Sequence, residues 1–252
     1  MRAVYSCLFW AFLTVSSILM FPVAVLTWVL TLPFDKRRYA LHRVTSFWAS
    51  LYTWLNPAWP VTVTGTEKID ESEACVFVAN HLSLVDILVM FRIFSHFKWV
   101  SKIENFRVPF IGWNMRLNRY IPLRRGDRSS VVQMMRECER TLAEGSSLMV
   151  FPEGTRSPSG RMRQFKTGAF EMAIKSKAPV HPVVLKGTSD ALPKSGFVLQ
   201  GRHPISIQVL DRLPYESFAH MSVEELTAHV RGIIAAELDE KQLEPSEDRA
   251  PA

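Results

Sequence analysis

Residues 75–94 read CVFVANHLSLVDILVMFRIF, and this stretch decides the fold class. Its first five residues, 75–79, form a short apolar run of the kind found in strands buried on both faces. A polar turn follows, and from residue 83 to 94 the apolar residues recur with helical spacing. A buried strand that leads directly into a helix is the building unit of parallel α/β sheets.

The same alternation continues on both sides of this stretch. Further β-rich runs predict strands at 61–64, 99–100, 120–123, 148–151, 180–185 and 205–210. Helical periodicity recurs at 128–142, 166–177 and 222–238. We therefore expect an α/β domain over 59–243, with a mostly parallel sheet flanked by helices. The polar segment 244–252 contains two prolines and is predicted to be a disordered tail.

Composition excludes several classes of protein. The chain has 252 residues with 30 Lys and Arg against 24 Asp and Glu, and its 48% hydrophobic content excludes an intrinsically disordered chain. Its three cysteines, Cys7, Cys75 and Cys138, are too scattered for a disulfide framework or a CxxC zinc site. We expect a folded basic protein from a reducing compartment, without a metal site.

The N-terminal segment predicts membrane attachment. Residues 3–34 carry no charged side chain, and about 20 apolar residues suffice for a helix to cross the hydrocarbon core. This run is long enough to span the bilayer or to lie in one leaflet. A secretory signal peptide is disfavoured, because its apolar region is shorter and ends at a small-residue cleavage site. Pro33 is expected to end the helix before the charged segment 35–38, whose basic residues should face anionic headgroups.

A second helix is predicted over 39–55. Its aromatic residues suit an interfacial helix, and a packed core helix is the alternative. Residues 1–58 would then form a membrane-embedding helical pair. More positive charge follows the apolar run than precedes it, so the positive-inside rule places the remaining chain on the cytoplasmic side of the cell inner membrane.

Polar side chains follow several of the predicted strands, at the edge where α/β folds bind ligands. His81 comes directly after the strand at 75–79, and Asp86 lies in the first turn of a helix for which Ser83 is the expected N-cap. A carboxylate in that position can turn back to the imidazole, which fixes the tautomer and stabilises the protonated ring of a general base. The alternative is a capped loop histidine beside a helix-dipole carboxylate.

Two further segments indicate an anionic ligand. FPEGTR at 151–156 follows a strand, and its Gly154 permits close approach of a ligand to the backbone. Cations concentrate after this turn and after the strand at 120–123. They are Arg156, Arg161, Arg163 and Lys166, and then Arg116, Arg119, Arg124, Arg125 and Arg128. Arginine grips phosphate through its planar fork, whereas a solvated basic face is the alternative. No DNA- or RNA-binding module is recognisable, so nucleic acid is not expected as a partner. A fourth segment, APVHPVV at 178–184, indicates only an edge strand, a strand start or a bend.

Taken in order, these segments resemble the glycerophosphate acyltransferase superfamily, and within it the bacterial 1-acylglycerol-3-phosphate acyltransferases. The family's NHxSxxD motif matches at Asn80, His81, Ser83 and Asp86, and its FPEGTR motif matches completely at 151–156. The family's Gly-x-Ile-x-Ile-Asp-Arg block corresponds to 119–125, where Arg125 is retained. Arg119 and Arg124 depart from its Gly and Asp.

The resemblance implies an enzyme that moves a fatty acyl group from acyl-CoA or acyl carrier protein to the sn-2 hydroxyl of 1-acylglycerol 3-phosphate (lysophosphatidic acid), giving phosphatidic acid. It implies His81 as general base, Asp86 as its orienting partner, membrane lipids as partners and no cofactor beyond the acyl co-substrate. The residues that it implies for substrate binding are Asn80, Ser83, Lys102, Arg125, Glu153, Gly154, Thr155, Arg156 and Lys166. Glu153 is expected to organise the cations or the acceptor.

Other functions remain open at this stage. Arg119 and Arg124 keep another lyso-lipid acceptor, such as a lyso-ornithine lipid, as the alternative. An acyl-thioester hydrolase could use the same His-Asp pair on water, although no GxSxG elbow accompanies it. A catalytically silent lipid-binding protein is disfavoured because both motifs are intact.

Overall fold

The computed structural model of the chain describes residues 1–157, 159–194, 196–239 and 242–243, so the predicted tail at 244–252 lies outside the described residues. Within this part, one seven-stranded sheet is flanked by helices, which confirms the predicted α/β class. Each strand overlaps a run predicted from the sequence. The strands are β1 (Val61–Thr64), β2 (Val76–Ala79), β3 (Phe97–Lys102), β4 (Ile121–Leu123), β5 (Ser147–Val150), β6 (Val180–Lys186) and β7 (Ile205–Val209).

Nine α-helices accompany these strands in the described part of the chain. They are α1 (Arg2–Thr31), α2 (Tyr39–Trp54), α3 (Val85–Met90), α4 (Ile111–Leu117), α5 (Arg128–Ala143), α6 (Gly168–Lys175), α7 (Thr188–Ala191), α8 (Tyr215–Phe218) and α9 (Val223–Ala236). The sequence does not predict α4, α7 or α8, because helices of four to seven residues show too little periodicity to be detected.

The sheet has the strand order β1-β7-β6-β2-β5-β3-β4, and every neighbouring pair is parallel except β6 with β7. Strand β6 is therefore an interior strand, not the edge that the prolines of 178–184 allow. Pro182 is accommodated because the antiparallel ladder with β7 begins one residue later, at Val183. Pro182 has no N–H to donate to the facing carbonyl of Leu210. This carbonyl instead accepts a hydrogen bond from His181 Nε2 at 3.0 Å.

Alternate residues of the central strand pack into two separate cores, as the period of two requires. Val76 and Val78 join the core that contains residues of α5, α6 and α9. Phe77 and Ala79 join the core that contains residues of α1, α2 and α3. The N-terminal helices are thus part of the layer that covers one face of the sheet.

Helix α1 is the one helix in the described residues that is long and apolar enough to cross a membrane, judged by length and composition alone. It ends at Thr31, two residues before Pro33. An outward row of apolar side chains runs along its length. This row includes Val4, Leu8, Val15, Leu19, Leu26 and Leu30. Its inner side packs on α2 and α4, for example through contacts of Phe21 with Trp113 and of Ser16 with Tyr52.

Helix α2 is mainly a packed helix, which corrects the interfacial interpretation. Trp48 and Tyr52 are buried, and only residues such as Phe47 and Trp54 lie exposed. The basic cluster also differs from the expectation. Arg38 is buried and donates to the Asp35 carbonyl, while Arg37 donates to the carbonyl of Gly145. Both arginines donate to main-chain carbonyls within the protein, so facing lipid headgroups is not their only role.

Candidate active site

The strand order brings the chemistry-bearing segments to one edge of the sheet. Strands β2, β5, β3 and β4 are adjacent and parallel, so their carboxyl ends point the same way. A cavity of about 590 Å³ opens at this edge. Five of the site residues predicted from sequence line it, namely His81, Lys102, Arg125, Gly154 and Lys166.

His81 and Asp86 form a buried pair. Asp86 Oδ2 accepts hydrogen bonds from His81 Nδ1 at 2.9 Å, from the Leu82 N–H at 2.6 Å and from the Ser83 N–H at 2.7 Å. The carboxylate turns back as expected, although α3 begins at Val85 with Leu84 as its N-cap, not with Ser83. Three donors that converge on one oxygen hold the carboxylate firmly in place.

This geometry leaves the far nitrogen of His81 available. Because the carboxylate oxygen accepts from Nδ1, the Nδ1 atom carries the hydrogen and Nε2 has a lone pair. Nε2 has no hydrogen-bond partner in the described part of the chain, and the residue lines the cavity. Phe151 stacks on the imidazole with ring centroids 4.0 Å apart and an angle of 6° between planes. The pair therefore has the geometry that a general base requires, with a fixed tautomer and a fixed ring plane.

Asn80 and Ser83 are both buried, and their side chains bond to main-chain groups. The Asn80 amide donates to the Leu185 carbonyl and accepts from the Leu185 N–H, each at 2.8 Å. Ser83 Oγ donates to the Leu192 carbonyl at 2.6 Å and accepts from the Val85 N–H. Neither residue lines the cavity, where substrate contact is expected from the family resemblance. They fix the loop that carries His81 to the end of β6 and to the residue that follows α7.

Glu153, for which contact with cations or acceptor is expected, is also not part of the cavity lining. Its side chain is 2% exposed, and its oxygens accept the N–H groups of His81 at 2.7 Å and of Arg163 at 3.1 Å. Burial raises the pKa of the Glu153 carboxyl to about 8, the negative charge of Asp86 acts in the same direction, and the two backbone N–H groups oppose the shift.

Several cations in the cavity lining and in the adjoining turn form no ion pair with a carboxylate of the described residues. Among the described residues, none forms an ion pair with Arg125, Arg156 or Lys166, whereas Lys102 lies 3.4 Å from Glu104. Arg156 and Thr155 are half-buried beside the turn and do not line the cavity. Unpaired cations around a concave site favour an anionic ligand.

Gly154 and Lys166 lie against each other. Gly154 has a φ of +71°, and a Cβ atom added there would come within 3.0 Å of Lys166 Cε. The absence of a side chain thus lets the lysine cross the FPEGTR turn and reach the cavity. The backbone conformation favours glycine here, and a side chain at this position would make the Lys166 side chain shift by a few tenths of an ångström.

The cavity wall away from the cations is apolar and comes partly from the N-terminal helices. Its lining there includes Phe9, Leu13, Trp48, Ala49, Tyr52 and Leu88. Sequence reasoning missed these residues as site residues. Their helical spacing is detectable, but it does not distinguish a side chain that lines a cavity from one that fills a core.

Metal ligation has no structural support in the part of the chain that is described. No group of three or more His, Cys, Asp or Glu side chains there could hold a metal ion. The acidic and imidazole groups at the cavity are bonded to each other or to main-chain N–H groups.

The fold is that of a solved acyltransferase. The crystal structure of the 1-acyl-sn-glycerophosphate acyltransferase PlsC from Thermotoga maritima superposes with a TM-score of 0.77, covering 98% of this chain and 100% of that chain. The sequences are 24% identical, so this likeness shows the fold alone.

Sequence relatives define the family. The acyltransferase family model matches residues 60–186. A 1-acyl-sn-glycerol-3-phosphate acyltransferase from Chlamydomonas reinhardtii is 36% identical over 245 residues, which are 96% of this chain and 71% of that relative. Chloroplastic enzymes of the same name from Brassica napus and Arabidopsis thaliana are 35% and 37% identical, over 71% and 64% of this chain. The chain spans about half the length of these two relatives, at 52% and 45%. The motifs, the fold and these relatives together show that the chain belongs to the 1-acyl-sn-glycerol-3-phosphate acyltransferase family.

Proposed function

We propose that this protein transfers a fatty acyl group from an acyl thioester to the sn-2 hydroxyl of 1-acylglycerol 3-phosphate, giving phosphatidic acid for phospholipid synthesis. The observation that carries the proposal is the position of His81. Its Nε2 atom has no hydrogen-bond partner among the described residues, and His81 lines a cavity that Arg125 and Lys166 also line. Helices α1 and α2 supply part of the apolar wall of this cavity. The acceptor has matching parts, since it joins a phosphate to an acyl chain through a glycerol hydroxyl.

In the proposed reaction, Nε2 of His81 takes the proton of the acceptor hydroxyl as its oxygen attacks the thioester carbonyl. The carbon–sulfur bond breaks, the new ester forms, and the proton held on the imidazolium passes to the departing thiolate. Asp86 stabilises the imidazolium through the 2.9 Å contact with Nδ1. No covalent enzyme intermediate and no cofactor are needed in this scheme.

The unpaired cations serve the acceptor phosphate in this proposal. Arg125 and Lys166 line the cavity together with His81, and Arg156 lies in the adjoining turn. Charge-assisted hydrogen bonds to phosphate would fix the lipid so that its hydroxyl lies beside Nε2. Positioning of this kind lowers the barrier by turning a bimolecular encounter into an oriented one.

Membrane lipids are the expected environment. The exposed apolar row on α1 supports attachment to the cell inner membrane, with the catalytic domain on the cytoplasmic side. The apolar cavity wall that α1 and α2 provide suits an acyl chain. Acyl-CoA and acyl carrier protein both present a phosphopantetheine thioester, so either can act as donor in this scheme.

The test is release of free CoA from oleoyl-CoA by detergent-purified protein. Parallel reactions contain lysophosphatidic acid, another lysophospholipid, lyso-ornithine lipid or no acceptor, with His81→Ala as the inactive control. Dependence on lysophosphatidic acid, with phosphatidic acid as product, is the expected result. Dependence on another acceptor would replace the proposed substrate, and release without acceptor would indicate thioester hydrolysis. Substituting acyl carrier protein for CoA in the donor identifies the preferred carrier.

A further inference from the structure

Glu153 is a buried carboxylate that the proposed reaction does not use. It follows β5 in the turn 151–156, yet it is not part of the cavity lining and is almost fully buried. Both of its oxygens accept main-chain N–H groups, Oε1 from His81 and Oε2 from Arg163. A carboxyl group presents an oxygen to each of the two N–H groups, whereas an amide side chain offers only one acceptor atom.

The main chain of His81 is held on both sides by the same segment. Its N–H donates to Glu153, and its carbonyl accepts from the Ser157 N–H at 3.1 Å. The side chain of His81 is held separately, by Asp86 at Nδ1 and by the face of Phe151. The position of Nε2 therefore depends on residues 151–157 as much as on the loop to which His81 belongs.

The second hydrogen bond of Glu153 extends this link to the cation-bearing segment. Arg163 and Lys166 follow the FPEGTR turn, and the N–H of Lys166 donates to the carbonyl of Pro152 at 2.9 Å. Glu153 and Pro152 thus connect the segment that carries Lys166 to the main chain of His81. The separation between the base and the cavity cations depends on these bonds.

We infer that Glu153 is a positioning residue for acyl transfer, which holds the main chain of His81 beside the loop of Arg163 and Lys166 through two backbone hydrogen bonds. The inference rests on the proposed function. It replaces the direct contact with cations or acceptor that the sequence predicts for Glu153. Glu153 touches neither reactant in this arrangement, and it acts on the reaction only through His81 and the cation loop.

The first test is Glu153→Gln, which leaves one of the two N–H groups facing an amide donor. We expect kcat to fall by about 10- to 100-fold, the range over which small misplacements of reacting groups act, and the acceptor KM to rise by a smaller factor, because Glu153 also holds the loop of Lys166. Glu171→Gln, at an exposed position on α6, is the matched control and should leave both constants unchanged. A raised acceptor KM with unchanged kcat would overturn the inference, because it would place Glu153 on the substrate.

A double-mutant cycle with Asp86→Asn provides a second readout. If Glu153 acts through His81, Glu153→Gln should cost less in the Asp86→Asn background than in the wild type, because both changes release the same imidazole. Fully additive losses would contradict this coupling.

Hydrogen exchange on the wild-type protein tests the contact without any variant. The amide of His81 should exchange as slowly as that of Phe77 in the buried strand β2. Rapid exchange at His81 would show that the contact with Glu153 is open and would overturn the inference. This measurement needs no substrate, so its result is independent of the acceptor. Failure of the proposed function would instead appear as a wild-type protein that is inactive with lysophosphatidic acid.

Discussion

Replacing Asp86 by asparagine removes the negative charge beside His81 and preserves the shape of the side chain. In the structure Asp86 is fully buried and lies 2.9 Å from Nδ1, so water screens the pair little. Two unit charges about 4 Å apart interact by about 4 kcal/mol at an effective dielectric constant of about 20. Since about 1.4 kcal/mol corresponds to a tenfold change in rate, loss of this stabilisation of the imidazolium should lower kcat by about 10³-fold.

The same substitution should also lower the free energy of unfolding. Asp86 Oδ1 is buried without a hydrogen-bond partner among the described residues, and an amide group placed there would leave a donor unsatisfied, at a cost of about 1–3 kcal/mol. Activity is measured as phosphatidic acid formed from lysophosphatidic acid and oleoyl-CoA, and folding as the denaturation midpoint. Asp190→Asn, at an exposed position on α7, is the matched control. A folded Asp86→Asn protein that lost less than about tenfold in kcat would refute the role of this charge.

Three other outcomes are expected. Lys166→Met should raise the acceptor KM by about tenfold or more, through loss of a charge-assisted bond to phosphate, while Lys175→Met on α6 should not; equal KM values would remove Lys166 from the phosphate site. Gly154→Ala should lower stability by about 1–3 kcal/mol, since φ is +71° and the new methyl group displaces Lys166; an unchanged melting temperature would contradict that strain. Burial lowers the pKa of Lys98 to about 7, so from pH 7 to 10 the unfolded chain binds more protons than the folded protein. The free energy of unfolding of the wild type should therefore rise over this range relative to that of Lys98→Met, by at most about 1.4 kcal/mol per pH unit. A difference between wild type and Lys98→Met that did not change over this range would show that the amine is not desolvated.

The sheet and the cavity edge were predictable because both depend on local patterns. Each strand is a short apolar run bounded by turn residues, and parallel strands necessarily bring their carboxyl ends to one edge. The approach of His81 to Asp86 was also predictable, since only five positions separate the two residues and a helix begins between them. The strand ends and the positive charge predicted cations at this edge, but of the nine cations named from them only Arg125 and Lys166 line the cavity, and it was the family resemblance that implied these two for substrate binding.

Partners distant in sequence were not predictable. Asn80 pairs with Leu185, and Glu153 with the N–H of His81, across separations of 105 and 72 positions that no periodicity encodes. The resemblance to the family motifs was the only reason to expect the side chains of Asn80 and Glu153 to contact the substrate. The burial of Arg38 likewise depends on how the turn between α1 and α2 packs, which the run of basic residues at 35–38 does not reveal.

The contribution of α1 and α2 to the cavity wall limits how this protein can be simplified for experiments. A fragment that began at residue 59 would keep His81, Asp86 and the cavity cations, but it would lack Phe9, Leu13, Trp48 and Tyr52. Residues of the same core that the fragment keeps, among them the buried Phe91, would lose the cover that these side chains provide. In such a fragment the cavity would lack the part of its wall that α1 and α2 supply, and it would be open to solvent on that side. The exposed apolar row of α1 and part of the cavity wall belong to the same N-terminal segment, so truncation would remove both together.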